Sequence, residues 1–349
     1  MERHNMAPPG IGSSTERHLD IHNTRNSQNI IVLDGGFATQ LSCYVDEPID
    51  GDVLWSARFL STNPEAVIDS HLDFLRAGAD LIITNTYQAD VDLFVKHLNV
   101  TKEEAYNLIK KAVELAKIAV ERYMQEFPNA RRPLVVGSVG PYGASLHDGS
   151  EYTGSYAANT SLDVMREWHT PRINALLEGG ADLLALETIP CRAEAEMLVT
   201  LLKEKYPETK AWLSFTAGQD GKTTAYGEPF QEAARACYDI CPDQLVAIGV
   251  NCIAPRLVES LISGINDKRA NPIPLIVYPN SGESYNVELG DDTASYRWIN
   301  RDKCEPVECY VAKWLDLGVT FVGGCCRTYA IDVTRIKREV EKWKQDHRF

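Results

Sequence analysis

No apolar run in this 349-residue sequence approaches the roughly 18 residues that a membrane-spanning helix needs. Basic charge is in short supply: 35 Lys and Arg face 49 Asp and Glu, a formal net charge of -14. That deficit argues against nucleic acid and anionic membrane surfaces as principal partners. The first 28 residues contain no apolar stretch of the kind that directs secretion. They read as a flexible polar tail, and the cytoplasm is the expected compartment. The nine cysteines form no C-x-x-C pair. An odd number of them, in a chain this long, points to reduced thiols rather than a disulfide framework. A dinucleotide fingerprint is missing too, since "DGGFATQ" after the first apolar run is not G-x-G-x-x-G. What remains is an ordinary globular composition, 44% hydrophobic and 24% charged, which allows a sizeable core.

Eight short apolar runs recur along the chain: Ile30–Asp34, Asp80–Thr84, Leu134–Val139, Asp182–Glu187, Ala211–Phe215, Leu245–Asn251, Leu275–Tyr278 and Val319–Val322. Continuous runs of this length suit strands buried on both faces of a parallel sheet. Helical patterns separate them. Pro64–Ala77 opens with Asn63 as cap and Pro64 at the first position, and Thr101-x-x-Glu104 is a capping box. Further helices are expected over Ser155–Leu177, Cys191–Lys205, Phe230–Tyr238, Pro255–Ser263, Pro306–Leu317 and Thr328–Lys344. Eight strand–helix units over about 320 residues predict an α/β fold, a (β/α)8 TIM-type barrel forming a single domain over 29–349. Three strand-to-helix connections are long: Gly35–Asn63, Gly140–Gly154 and Pro279–Lys303. In such a barrel all three fall on the C-terminal face, where barrel active sites lie.

The residues that end the strands therefore matter most. They are Asp34, Thr84 and Thr86, Glu187, Asn251-Cys252 and the vicinal pair Cys325-Cys326. A single strand-end cysteine is ordinarily a small buried hydrophobe. Three thiols converging on one mouth suit a catalytic zinc with its fourth position open. The adjacent pair Cys325–Cys326 needs a bend to bring both thiols to one point, which Gly323 and Gly324 would allow. A disulfide between those two neighbours is the redox alternative. "DGG" is also an ordinary turn, and a strand-end Glu is often a cap partner. Together, opposite three thiols, Asp34 and Glu187 suit an amino-acid substrate that carries an ammonium group and a thiol. Coordination to zinc deprotonates a thiol outright, giving a nucleophile for an electrophilic carbon. Tyr278, Tyr285, Tyr296 and Trp298, in or beside the seventh loop, could hold a cationic methyl donor on their faces.

Six stretches, in order along residues 30–345, resemble the homocysteine S-methyltransferase family: "VLDGGFATQL", "ITNTYQA", "ETIPC", "GVNC", "YPNSGE" and "GGCCRT". The resemblance implies a zinc-binding (β/α)8 barrel that makes methionine from homocysteine. It implies Cys252, Cys325 and Cys326 as metal ligands. It implies Asp34, with Gly35 beside it, Thr84 and Glu187 as the amino-acid-binding set. The betaine-using branch carries a tyrosine after the glutamate; Thr188 stands there instead. The expected donor is therefore a sulfonium, S-methylmethionine or S-adenosylmethionine. Betaine- or selenocysteine-type transfer on the same barrel is the alternative, as is a non-catalytic zinc-binding scaffold. The partners expected are these small molecules, with oligomeric state left open.

Overall fold

The computed structural model describes residues 29–286 and 297–347. The tail over 1–28 lies outside the described residues. Eight parallel strands form one sheet: β1 (Ile31–Val32), β2 (Leu81–Ile83), β3 (Leu134–Val139), β4 (Leu183–Ile189), β5 (Ala211–Phe215), β6 (Leu245–Asn251), β7 (Leu275–Tyr278) and, last in the chain, β10 (Val319–Val322). An antiparallel hairpin, β8 (Ser284–Asn286) and β9 (Arg297–Ile299), interrupts the seventh connection. In space the order runs β1-β10-β7-β6-β5-β4-β3-β2. The β1/β2 seam is closed by Asp80. Its amide donates to the Val32 carbonyl at 2.7 Å, and its carboxylate accepts from the Val32 amide at 2.8 Å. The result is the expected (β/α)8 barrel.

Among the described residues, eleven helices accompany the strands: α1 (Phe37–Leu41), α2 (Phe59–Thr62), α3 (Pro64–Arg76), α4 (Val91–Leu98), α5 (Lys102–Glu126), α6 (Leu162–Glu178), α7 (Arg192–Lys205), α8 (Phe230–Ile240), α9 (Pro255–Ile262), α10 (Glu308–Asp316) and α11 (Ala330–Asp346). The caps read from sequence are made. Asn63 accepts from the Ala66 amide at 3.2 Å. Thr101 and Glu104 exchange both capping-box bonds. The helix expected from Ser155 begins at Leu162 instead, because Ser161 caps it and a separate 3-10 turn occupies Ser155–Ala158. Among the described residues, no helix is long and apolar enough to cross a membrane.

Alternation along the strands splits the core in two. Val32, Ile82 and Leu184 face outward to the helices, whereas Ile31, Leu33, Leu81, Ile83, Leu183 and Ala185 fill the barrel. Trp212, fully buried, lies beneath the mouth, 6.1 Å from the Tyr278 ring and 6.5 Å from Phe321. The barrel interior is thus packed, and its room for a ligand lies at the strand C-termini. Trp212→Ala is expected to cost about 3–5 kcal/mol, as for other buried large-to-small changes. The urea midpoint measures it, and a shift under 1 kcal/mol would show that the barrel centre is not tightly packed.

Candidate active site

The three thiols meet as expected. Cys252 follows β6 and Cys325-Cys326 follow β10, with all three sulfurs within 4.8 Å of one another. Cys252 sits at φ 51°, in the left-handed region, where the chain leaves its strand. The bend at the vicinal pair is a correction to the sequence reading. Neither Gly323 nor Gly324 has a positive φ; Arg327 does, at 64°. The amide and hydroxyl of Thr328 both donate to the Cys325 carbonyl, at 3.1 and 2.6 Å, and so close a turn around Cys326. The glycines serve close approach instead: a Cβ on Gly323 would lie 2.6 Å from the Leu33 Cβ. Gly35 is hemmed in likewise, 2.8 Å from the Phe74 ring and 2.9 Å from the Thr328 carbonyl.

The Cys325–Cys326 disulfide does not form. Cys325 is bonded to Cys252, with Cα atoms 5.6 Å apart, while the Cys326 sulfur is 3.7 Å from that of Cys252. The six cysteines away from the mouth are free; Cys191, Cys237 and Cys241 are buried, the last two within the outer apolar core. The donor set fits a metal once the Cys252–Cys325 bond is reduced. A tetrahedral ion with metal–sulfur bonds near 2.3 Å holds its sulfurs about 3.8 Å apart. The Cys252–Cys326 separation is already of that size. Burial pushes the Cys326 thiol up to about 12.

Asp34, Gly35, Thr84, Glu187 and the three cysteines all line one cavity of about 80 Å³, open at the mouth. Asp34 is 1% exposed. One oxygen accepts from the Ile83 amide at 2.7 Å across the β1/β2 seam. The other, Oδ1, is buried with no partner. Burial raises the Asp34 pKa well above the usual carboxylate range, and the neighbouring Glu187 adds to the rise. Glu187 accepts from Ser138 Oγ and, at 3.1 Å, from the Tyr278 hydroxyl. Burial still lifts its pKa to about 7, because these two neutral donors only partly replace water. Trp212 Nε1 donates to the Tyr278 oxygen at 2.9 Å, and with the Tyr278 hydrogen given to Glu187 the Ser214 hydroxyl, 2.6 Å away, is the donor to that same oxygen.

Thr84 lines the cavity, but its hydroxyl is largely committed. It accepts from the Ser138 amide at 3.0 Å. Thr86 donates to the Ser138 carbonyl at 2.8 Å, which obliges Thr84 to donate to Thr86. One Thr84 lone pair is left for a ligand. Thr188 stands at φ 59°, unusual for a β-branched residue. Asn251 holds it there: the Thr188 amide donates to Oδ1 and Nδ2 donates to the Thr188 hydroxyl, both at 2.7 Å.

Of the four aromatic residues expected to face a donor, Tyr278 lines the cavity. Tyr278 is buried and serves Glu187, and Trp298 is not among the cavity-lining residues. Tyr296 and the side chain of Tyr285 lie outside the described residues. Besides Tyr278, the cavity is lined by the rings of Phe37, Trp55, Tyr87 and Tyr152; of these four, Trp55 and Tyr87 stand edge to face at 5.9 Å. They come from the first three connections. Trp55 occupies a 3-10 turn, a setting without periodicity to reveal it.

Comparison with known proteins places this geometry. The family profile described as Homocysteine S-methyltransferase matches residues 31–340. A protein of Drosophila melanogaster named betaine-homocysteine S-methyltransferase is 46% identical, covering 90% of this chain and 96% of its own. The Escherichia coli homocysteine S-methyltransferase is 41% identical, over 89% and 96%. The crystal structure of E. coli homocysteine methyltransferase MmuM in its metallated form superposes with TM-score 0.75 at 38% identity, over 89% and 96% of the two chains. An oxidized form of MmuM matches with the same TM-score.

Proposed function

The chain belongs to the homocysteine S-methyltransferase family, and from that premise we propose that it moves a methyl group from a sulfonium donor to the thiol of homocysteine, giving methionine. The observation that carries the reading is one cavity holding three converging thiols and Asp34 Oδ1, a buried acceptor that no protein donor reaches.

Cys252, Cys325 and Cys326 would hold one zinc, which lowers the pKa of a substrate thiol so that it reacts as thiolate. Asp34 and Glu187 take the homocysteine ammonium, which supplies the partner Asp34 Oδ1 lacks and favours the charged form of both carboxyls. The Ser138 and Tyr278 hydroxyls keep Glu187 aimed at that group. The faces of Trp55, Tyr87 and Tyr152 hold the cationic donor by cation–π attraction. The methyl–sulfur bond of the donor breaks as the new one forms, and the donor leaves as a neutral thioether. Thiols that must stay reduced suit the cytoplasm, where we place the enzyme.

The donor is S-methylmethionine or S-adenosylmethionine on the evidence of Thr188, which fills the position after Glu187 with a small side chain locked to Asn251. The Drosophila relative's name favours a second reading, with betaine as donor. A donor panel decides between them. Reduced, zinc-loaded enzyme with homocysteine is expected to form methionine faster from S-methylmethionine than from betaine at equal concentration. The reverse order would assign betaine.

A further inference from the structure

Behind the cavity lies a buried polar network for which the proposed chemistry has no use. Arg172, on α6, is 2% exposed, and burying a guanidinium is costly unless its donors are met. Among the described residues it contacts no carboxylate directly. Its terminal nitrogens donate to the backbone carbonyls of Tyr87 at 3.0 Å and Gly140 at 2.6 Å and to His169 Nδ1 at 2.9 Å, while Nε is buried without a partner among the described residues. Its face lies 4.1 Å from the Trp168 ring. Because Nδ1 accepts, the proton of His169 is on Nε2, which donates to Glu194 at 2.7 Å. Burial holds the His169 pKa at about 4, consistent with this neutral form. Glu194, fully buried on α7, also accepts from the Tyr142 amide at 2.7 Å and from the Tyr156 hydroxyl.

The two carbonyls mark where the chain leaves β2 and β3. The segments touch there: a Cβ on Gly140 would lie 2.6 Å from the Tyr87 ring. Tyr87 is part of the cavity wall. On the other side, Glu194 pins Tyr142 and Tyr156 of the connection that carries Tyr152 into the cavity. One guanidinium therefore ties together two of the three connections that supply the aromatic wall. A buried cation paired chiefly with main-chain carbonyls makes a poor case for stability alone.

We propose that Arg172 is a positioning residue, held by His169 and Glu194, that fixes the Tyr87 and Gly140 backbones and so sets the wall against which the methyl donor binds. The inference rests on reading that wall as the donor site. Arg172 touches neither substrate, so its loss is felt on the donor side and spares the thiol side, where the cysteines, Asp34 and Glu187 stand.

The test uses the full chain, reduced and zinc-loaded, with homocysteine and S-methylmethionine. Arg172→Lys keeps the charge but not the planar fork that reaches three acceptors. It is expected to raise KM for the donor at least 10-fold, with KM for homocysteine and zinc content within twofold of wild type. Donor-induced thermal stabilisation should vanish while that from homocysteine persists. His169→Gln, which can both donate to Glu194 and accept from Arg172, should stay within threefold of wild type. His169→Leu should follow Arg172→Lys, and this pair carries the test if the arginine variant does not fold. Equal rises in both KM values, or a fall in kcat alone, would overturn the proposal. If wild type uses betaine instead, betaine replaces S-methylmethionine in the same assay. If wild type methylates homocysteine from neither donor, the functional reading fails before the variants are compared.

Discussion

Cys252→Ser is expected to remove the metal and abolish methyl transfer while the barrel stays folded. Reduced wild-type protein should carry about one zinc per chain. The substitution replaces a soft thiolate by a hydroxyl that stays protonated, at one of three sulfurs grouped within 4.8 Å. Two cysteines then remain, one fewer than the three protein ligands usual at catalytic zinc sites. The loss of activity should exceed the roughly 10–100-fold typical of changes in the outer shell of a metal site. Stability should change little, because the cluster sits at the mouth while Trp212 and Phe321 fill the barrel beneath it. Metal analysis, activity and a thermal melt of the same preparation are compared. Full zinc content with normal turnover would dismiss the site. A collapse of the melt would make the cluster structural. The analysis needs reductant, since the Cys252–Cys325 bond must open before three thiolates are available.

The parts of this site that come from strand ends were legible in the sequence, for a physical reason. Runs such as Leu134–Val139, Leu245–Asn251 and Val319–Val322 are buried on both faces, so their hydrophobic character begins and ends with the strand. The residue after each run is then at the mouth. The fourth run was cut short at Glu187. Its strand continues to Ile189 past the left-handed Thr188, with a register shift against β5. Only the Asn251 clamp makes that tolerable, and it lies 63 residues away in the chain. Trp55 was missed because a 3-10 turn has no period to read. His169 and Arg172 were missed because two polar residues three apart on a helix look like an exposed face, whereas here they point inward. Thr84 shows the limit in the other direction. Its place at the mouth was correct, but only the hydrogen-bond ring with Thr86 and Ser138 reveals how little of its hydroxyl is free.

Glu187→Gln should lower kcat/KM for homocysteine on the order of 10–100-fold, at ~1.4 kcal/mol per decade. A charge-assisted hydrogen bond to an ammonium is worth roughly 1.5–3 kcal/mol, and glutamine keeps the shape without the charge. Zinc content should not change, since Glu187 is hydrogen-bonded to Ser138 and Tyr278 and not to the cysteines. The pH dependence is the sharper test. The folded-state pKa of Glu187 is raised from 4.5 to about 7 by burial. Keeping that carboxyl neutral therefore contributes stability that is fully present below pH 4.5 and is lost as the pH rises through about 7. Homocysteine has the opposite preference, because its ammonium pairs with the carboxylate. Binding to the wild type should tighten as the pH rises through about 7, and the substrate should restore the stability lost there. In the glutamine variant both effects should shrink, leaving only the contribution of Asp34. A simple thiol without an amino group should be nearly indifferent to the substitution, having no ammonium to lose. If Glu187→Gln slows both thiols equally, the glutamate acts on the donor or on the fold, and the ammonium clamp is wrong. If the variant loses zinc, Glu187 belongs to the metal site, and the place given to the substrate thiol must be redrawn.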